Sequence, residues 1–168
     1  MKQKKQNRIL AALLAVVMMF QILPMMAFAA EDTSLKKGQA KIGEKVYNSV
    51  LEAVKDAPAN GTTTTITLGE GEYTLYGTEE TAGKNLTFVG QGAGLTTWKI
   101  GYPTSDQEGY GNADFSFKNS KTITFQNMTL KAGTEYSYQG FAHTDTTVVE
   151  NCVVEGMTFY WGYNSATF

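Results

Sequence analysis

The chain has one cysteine, one histidine and one arginine in 168 residues. Each scarcity removes a class of protein. A disulfide needs two thiols, so Cys152 excludes an internal staple, and burial and hydrogen bonding must hold the fold. The one arginine, Arg8, sits in the leader with Lys2, Lys4 and Lys5. Setting those four aside leaves ten lysines against 16 acidic residues, a net charge near −6. That balance argues against nucleic acid or an anionic membrane surface as partner. The one imidazole, His143, is two residues from Asp145. In a strand the two share a face, and they read as a hydrogen-bonded corner pair, since no nucleophile accompanies them as a catalytic dyad would need. Long apolar runs are also scarce. Residues 9–20 form one of twelve, short for a membrane span of about 20 residues.

That run lies between the basic start and Pro24, and Ala27-Phe28-Ala29 follows with small residues where a signal peptidase reads. Residues 1–29 read as a secretory signal peptide cleaved after Ala29, so the expected location is outside the cell or on its surface, with no stable membrane span after cleavage. Residues 30–43 are polar and read as a loose leader or a first edge segment. Val46, Tyr47, Val50, Leu51 and Val54 then fall at helical spacing and predict one amphipathic helix over 46–56, ended by Pro58 and Asn60-Gly61.

From there on, short Thr-rich apolar stretches alternate with glycine and asparagine turns, the pattern of strands. They also repeat. Lys121-Thr122-Ile123-Thr124-Phe125-Gln126-Asn127 is echoed by Asp145-Thr146-Thr147-Val148-Val149-Glu150-Asn151, 24 residues on. Lys84-Asn85-Leu86-Thr87-Phe88-Val89-Gly90 matches the first copy 37 residues upstream, and residues 165–168 begin another, 19 residues beyond the second. The spacing predicts stacked units of about 19–25 residues, with loops inserted at 101–113 and 131–140. Cys152 takes the place of Met128 in the repeat, which predicts a small buried side chain. Gly90-Gln91-Gly92-Ala93-Gly94 lacks the Lys-Ser/Thr of a phosphate loop and reads as a glycine-rich corner.

Leu86-Thr87-Phe88-Val89-Gly90-Gln91-Gly92 and Asn151-Cys152-Val153-Val154-Glu155-Gly156, with residues 46–54 and 66–73, resemble the N-terminal half of a right-handed parallel β-helix of the pectin-lyase-like superfamily. The similarity runs over about 46–168, and pectin methylesterases are the nearest named pattern. The resemblance implies an all-β, right-handed parallel β-helix with an N-terminal amphipathic capping helix, its incomplete domain spanning 44–168. It also implies an inward Asn ladder through Asn127 and Asn151, bonded to the backbone of neighbouring units. The esterases carry an Asp after the Gly of that Asn-Cys segment. Here Gly156 is followed by Met157 and Thr158, which removes the acid/base group. Related lyases use an Arg or Lys base and acidic Ca²⁺ ligands, and no arginine follows Arg8 and no dense Asp cluster occurs. No catalytic residue, metal ligand or cofactor is therefore expected. The expected function is a non-catalytic secreted or cell-surface module for display, adhesion or glycan binding, the alternative being a fragment of a carbohydrate-active enzyme of the pectin esterase or polysaccharide lyase type. Tyr160, Trp161 and Tyr163 are the candidate ligand-binding residues, with a glycan or cell-surface component as partner.

Overall fold

The computed structural model describes residues 35–75, 77–100, 115–132, 144–156 and 164–168. The predicted signal peptide over 1–29, His143, the aromatic residues Tyr160, Trp161 and Tyr163, and the predicted loops over 101–113 and most of 131–140 lie outside them. The chain is mostly β. Among the described residues there is one short helix, and no helix is long and apolar enough to cross a membrane.

The elements begin with β1 (Ala40–Ile42), β2 (Lys45–Tyr47), α1 (Val50–Asp56), β3 (Thr63–Leu68) and β4 (Gly71–Leu75). Next come β5 (Gly77–Glu80), β6 (Asn85–Val89), β7 (Thr96–Ile100), β8 (Phe115–Lys118) and β9 (Thr122–Gln126). The last are β10 (Thr129–Ala132), β11 (Thr146–Glu150), β12 (Val153–Glu155) and β13 (Ser165–Thr167). They form a seven-stranded sheet in the order β13-β11-β9-β6-β3-β1-β2, a four-stranded sheet β12-β10-β7-β4 and a two-stranded sheet β5-β8. Among the described residues, pairing is antiparallel only where β1 meets β2 and β3. Every other pair is parallel. The spacings read from the repeat are the registers: Asn85 faces Thr122, Thr122 faces Thr146 and Thr146 faces Ser165.

Residues 40–42 thus join the sheet, with Gly43 at φ 56° in the tight turn to β2. The helix is shorter than its periodicity predicts, and residues 45–47 are a strand instead. Ser49 takes an extended conformation, φ −145° and ψ 160°, and its Oγ accepts from the Glu52 amide at 3.2 Å. The Glu52 carboxylate accepts in turn from the Asn48 amide at 3.0 Å. This reciprocal cap fixes the helix start at Val50. Tyr47 mimics a helical position because strand and helix bury their apolar sides toward one core. Its hydroxyl donates to Asp56 at the far end of α1, and Lys45 bonds the same carboxylate at 2.8 Å. The lysine first and the tyrosine second hold the Asp56 carboxyl below its usual range.

The same C-terminal end of α1 is held by Lys84, which is nearly buried and donates to the carbonyls of Val54 at 2.7 Å and Lys55 at 3.0 Å. A cation against the last carbonyls satisfies orphan acceptors and complements the helix dipole. Lys84→Met keeps the apolar stem and removes the donor. Stability should fall by about 1–2 kcal/mol, read as a shift in the urea midpoint with an unchanged slope.

Alternation sets the core. In the seven-stranded sheet Ile66, Phe88, Phe125 and Val149 stand in register and point inward. Tyr73, Trp98 and Leu130 do the same in the four-stranded sheet. Phe88 stacks on Phe125 and on Phe117, and meets Trp98 edge-on. The apolar stretch around 148–154 divides into the two strands β11 and β12, because Asn151 between them lies in the left-handed region.

Candidate functional site

Four chain corners lead from the seven-stranded to the four-stranded sheet, at Gly69-Glu70, Gly90, Asn127 and Asn151. Asn127 and Asn151 have φ of 56° and 51°, which asparagine tolerates better than any other residue with a Cβ. The Asn151 side-chain amide donates to Asn127 Oδ1 at 2.6 Å. The two side chains bond to each other at the surface, Asn127 half-buried and Asn151 exposed, where the sequence predicts an inward ladder on backbone groups. Those backbone groups already have partners. The amides of Gly90 and Gly92 donate to the carbonyls of Gln126 and Asn127, both at 2.9 Å, and the Asn127 amide to Glu150 at 3.3 Å.

Cys152 is half-buried, not fully buried as its alignment with Met128 predicts, because β12 is the edge strand beside it. Its thiol donates to the Glu150 carbonyl at 3.3 Å, and burial pushes its pKa up, the reverse of an activated nucleophile. Asp145 accepts from the side chain of Asn164.

A cavity of about 480 Å³ lies between the start of α1 and β4. Val50, Leu51 and Leu75 give it an apolar wall, and Glu72 is the one carboxylate among the described residues of its lining. Glu72 meets Lys99 at 3.4 Å. The Tyr73 hydroxyl is committed to the carbonyls of Gln39 at 2.7 Å and Gly69 at 3.3 Å, and burial raises its pKa. Among the described residues no group of three or more His, Cys, Asp or Glu could hold a metal ion.

The most regular surface is the outward face of the seven-stranded sheet. Thr63, Asn85, Thr122, Thr146 and Ser165 stand in one file across β3, β6, β9, β11 and β13. Thr65, Thr87, Thr124, Val148 and Thr167 stand in the next. All ten are exposed or half-exposed, the pairing is one-to-one throughout, and neither file holds a charge or an aromatic ring. The hydroxyls of Thr65, Thr87 and Thr124 bond no other group among the described residues, whereas Ser165 and Thr146 bond each other at 3.2 Å. Composition alone assigns these threonines to strand propensity. The signal that marks a face is their recurrence at alternate positions, Thr63, Thr65 and Thr67 in one strand and Thr122 and Thr124 in another.

No protein family matches the chain, and neither a curated protein nor a solved structure matches it.

Proposed function

We propose that the chain is a secreted or surface-displayed module of the right-handed parallel β-helix type that works in display and adhesion without catalysis, with a glycan or other cell-surface component as partner. The observation that carries this reading is the recurrence of the register. Strands β3, β6, β9 and β11 pair in parallel in one sheet, and the strand that follows each, β4, β7, β10 and β12, pairs in parallel in another. A chain that alternates in this way between two sheets stacks unit on unit, and its outward faces become long, regular contact surfaces. The basic start and apolar run of the leader support export. The committed states of Tyr73 and Cys152 support a binding role over a catalytic one.

The test is retention of the full-length protein on cell-wall polysaccharide. Trp161→Ala and Tyr163→Ala should each weaken binding about tenfold, equivalent to about 1.4 kcal/mol. Undiminished binding in both variants removes these residues from the contact surface. Release of methanol or unsaturated product from pectin would overturn the non-catalytic reading.

A further inference from the structure

We propose that the threonine-bearing outward face of the seven-stranded sheet adsorbs to the surface of ice. This deepens the adhesion reading, on which it rests for display at a surface, by naming what that face holds. Each threonine offers a hydroxyl that both donates and accepts, beside a methyl group. Neighbouring strands set the hydroxyls about 4.7–4.9 Å apart across the sheet, and alternate residues set them about 6.6 Å apart along each strand. Two perpendicular repeats of that size are of the same order as the oxygen repeats on the prism faces of hexagonal ice. The threonine side chains are β-branched and stiff at χ1, so the array is ordered before contact and little rotamer freedom is lost on binding.

What the face lacks points the same way. A lysine or glutamate would keep its own hydration shell and disrupt ordered water, and the two files hold neither. An aromatic ring would offer a stacking platform for a sugar, and they hold none. The hydroxyls of Thr65, Thr87 and Thr124 are not spent on bonds among the described residues, so water can take them. Charge begins at the margin, with Lys41 in register with Thr67, Asp145 before Thr146, and Glu150 bonded by Gln126 at 2.6 Å.

The experiment is thermal hysteresis and crystal shaping on single ice crystals with the full-length protein. Wild type should facet the crystals and open a gap between melting and freezing points. Thr65→Lys and Thr124→Lys each place a long charged side chain in the middle of the array and should abolish both effects. Thr97→Lys, on the outward face of the four-stranded sheet, should retain them. Far-UV circular dichroism checks the folding of each variant, and if one substitution in the array unfolds the chain the other decides. Unshaped crystals with wild type overturn the proposal, and so does full activity in both array variants. Retention on crystalline cellulose or chitin without ice shaping would assign the face to a polysaccharide instead. Loss of cell-wall binding with ice shaping intact would count against the glycan partner alone, so the two failures are distinguishable.

Discussion

Phe88→Ala should cost about 3–5 kcal/mol, the range for removing a fully buried aromatic ring from a core that cannot collapse around the gap. Phe88 is fully buried, and its ring lies 4.8 Å from Trp98, 5.3 Å from Phe117 and 5.6 Å from Phe125, centroid to centroid. Those partners belong to three different sheets: Trp98 to the four-stranded, Phe117 to the two-stranded, Phe125 to the same sheet as Phe88. Each is pinned by its own parallel ladder, so none can swing far into the vacated space. The cost is therefore transfer free energy plus an unrelieved cavity, and the edge-on and stacked ring interactions disappear with the ring. A single domain of ordinary stability has about 5–15 kcal/mol in total, so this one change should leave much of the chain unfolded at modest urea concentration. Phe88→Leu keeps most of the volume and should cost clearly less. Equilibrium urea unfolding followed by tryptophan fluorescence reads both, because Trp98 is the ring that meets Phe88 edge-on. A loss under about 1 kcal/mol for Phe88→Ala would mean that the three sheets do not share this ring as a common contact.

The parts of the fold legible in the sequence are those in which a like residue must sit above a like residue. In-register parallel pairing sets Phe88 on Phe125 and Thr122 beside Thr146, so the offsets of 37, 24 and 19 residues could be read by matching the chain to itself. Strand ends at Asn127 and Asn151 were legible for a related reason, since a left-handed corner restricts which residue stands there, and at Gly90 close backbone approach does the same. The helix start was not. Tyr47 keeps helical spacing with Val50 and Leu51 while belonging to a strand, and only the Ser49–Glu52 cap separates the two. Strand β1 was equally obscure, because its pairing partners in β2 and β3 include Leu68, which is distant in sequence and carries no local signal. The Asn127–Asn151 contact was legible as a spacing and not as an orientation. The backbone bonds that leave the two amides only each other to meet are tertiary. The threonine files were written in the sequence throughout, but alternating threonine reads the same whether it serves strand propensity or an outward lattice. Only the register across five strands separates the two.

Gly90→Ala tests the corner that aligns all of this, and it should cost about 3 kcal/mol, the upper end of overpacking. A Cβ at residue 90 would lie 2.5 Å from the Asn127 carbonyl oxygen and 2.9 Å from the Cβ atoms of both Met128 and Thr96. None of these is the loose end of a flexible side chain. The Asn127 carbonyl is fixed by the Gly92 amide, and Thr96 is fixed through its hydroxyl, which donates to the Gly69 carbonyl at 2.9 Å and accepts from the Gln91 amide at 3.0 Å. The added methyl must therefore push the β6–β7 corner away from the point where β9 turns into β10. Gly94 lies in the same loop with no atom within 4 Å of an added Cβ, so Gly94→Ala should change stability by less than about 1 kcal/mol. The difference between the two variants isolates close backbone approach from the general entropy of removing a glycine. If both are neutral, the β6–β7 and β9–β10 corners do not touch at Gly90. If only Gly90→Ala is costly, the requirement for glycine where the later copies carry asparagine is steric: the Asn127–Met128 backbone already occupies the space that a side chain would need.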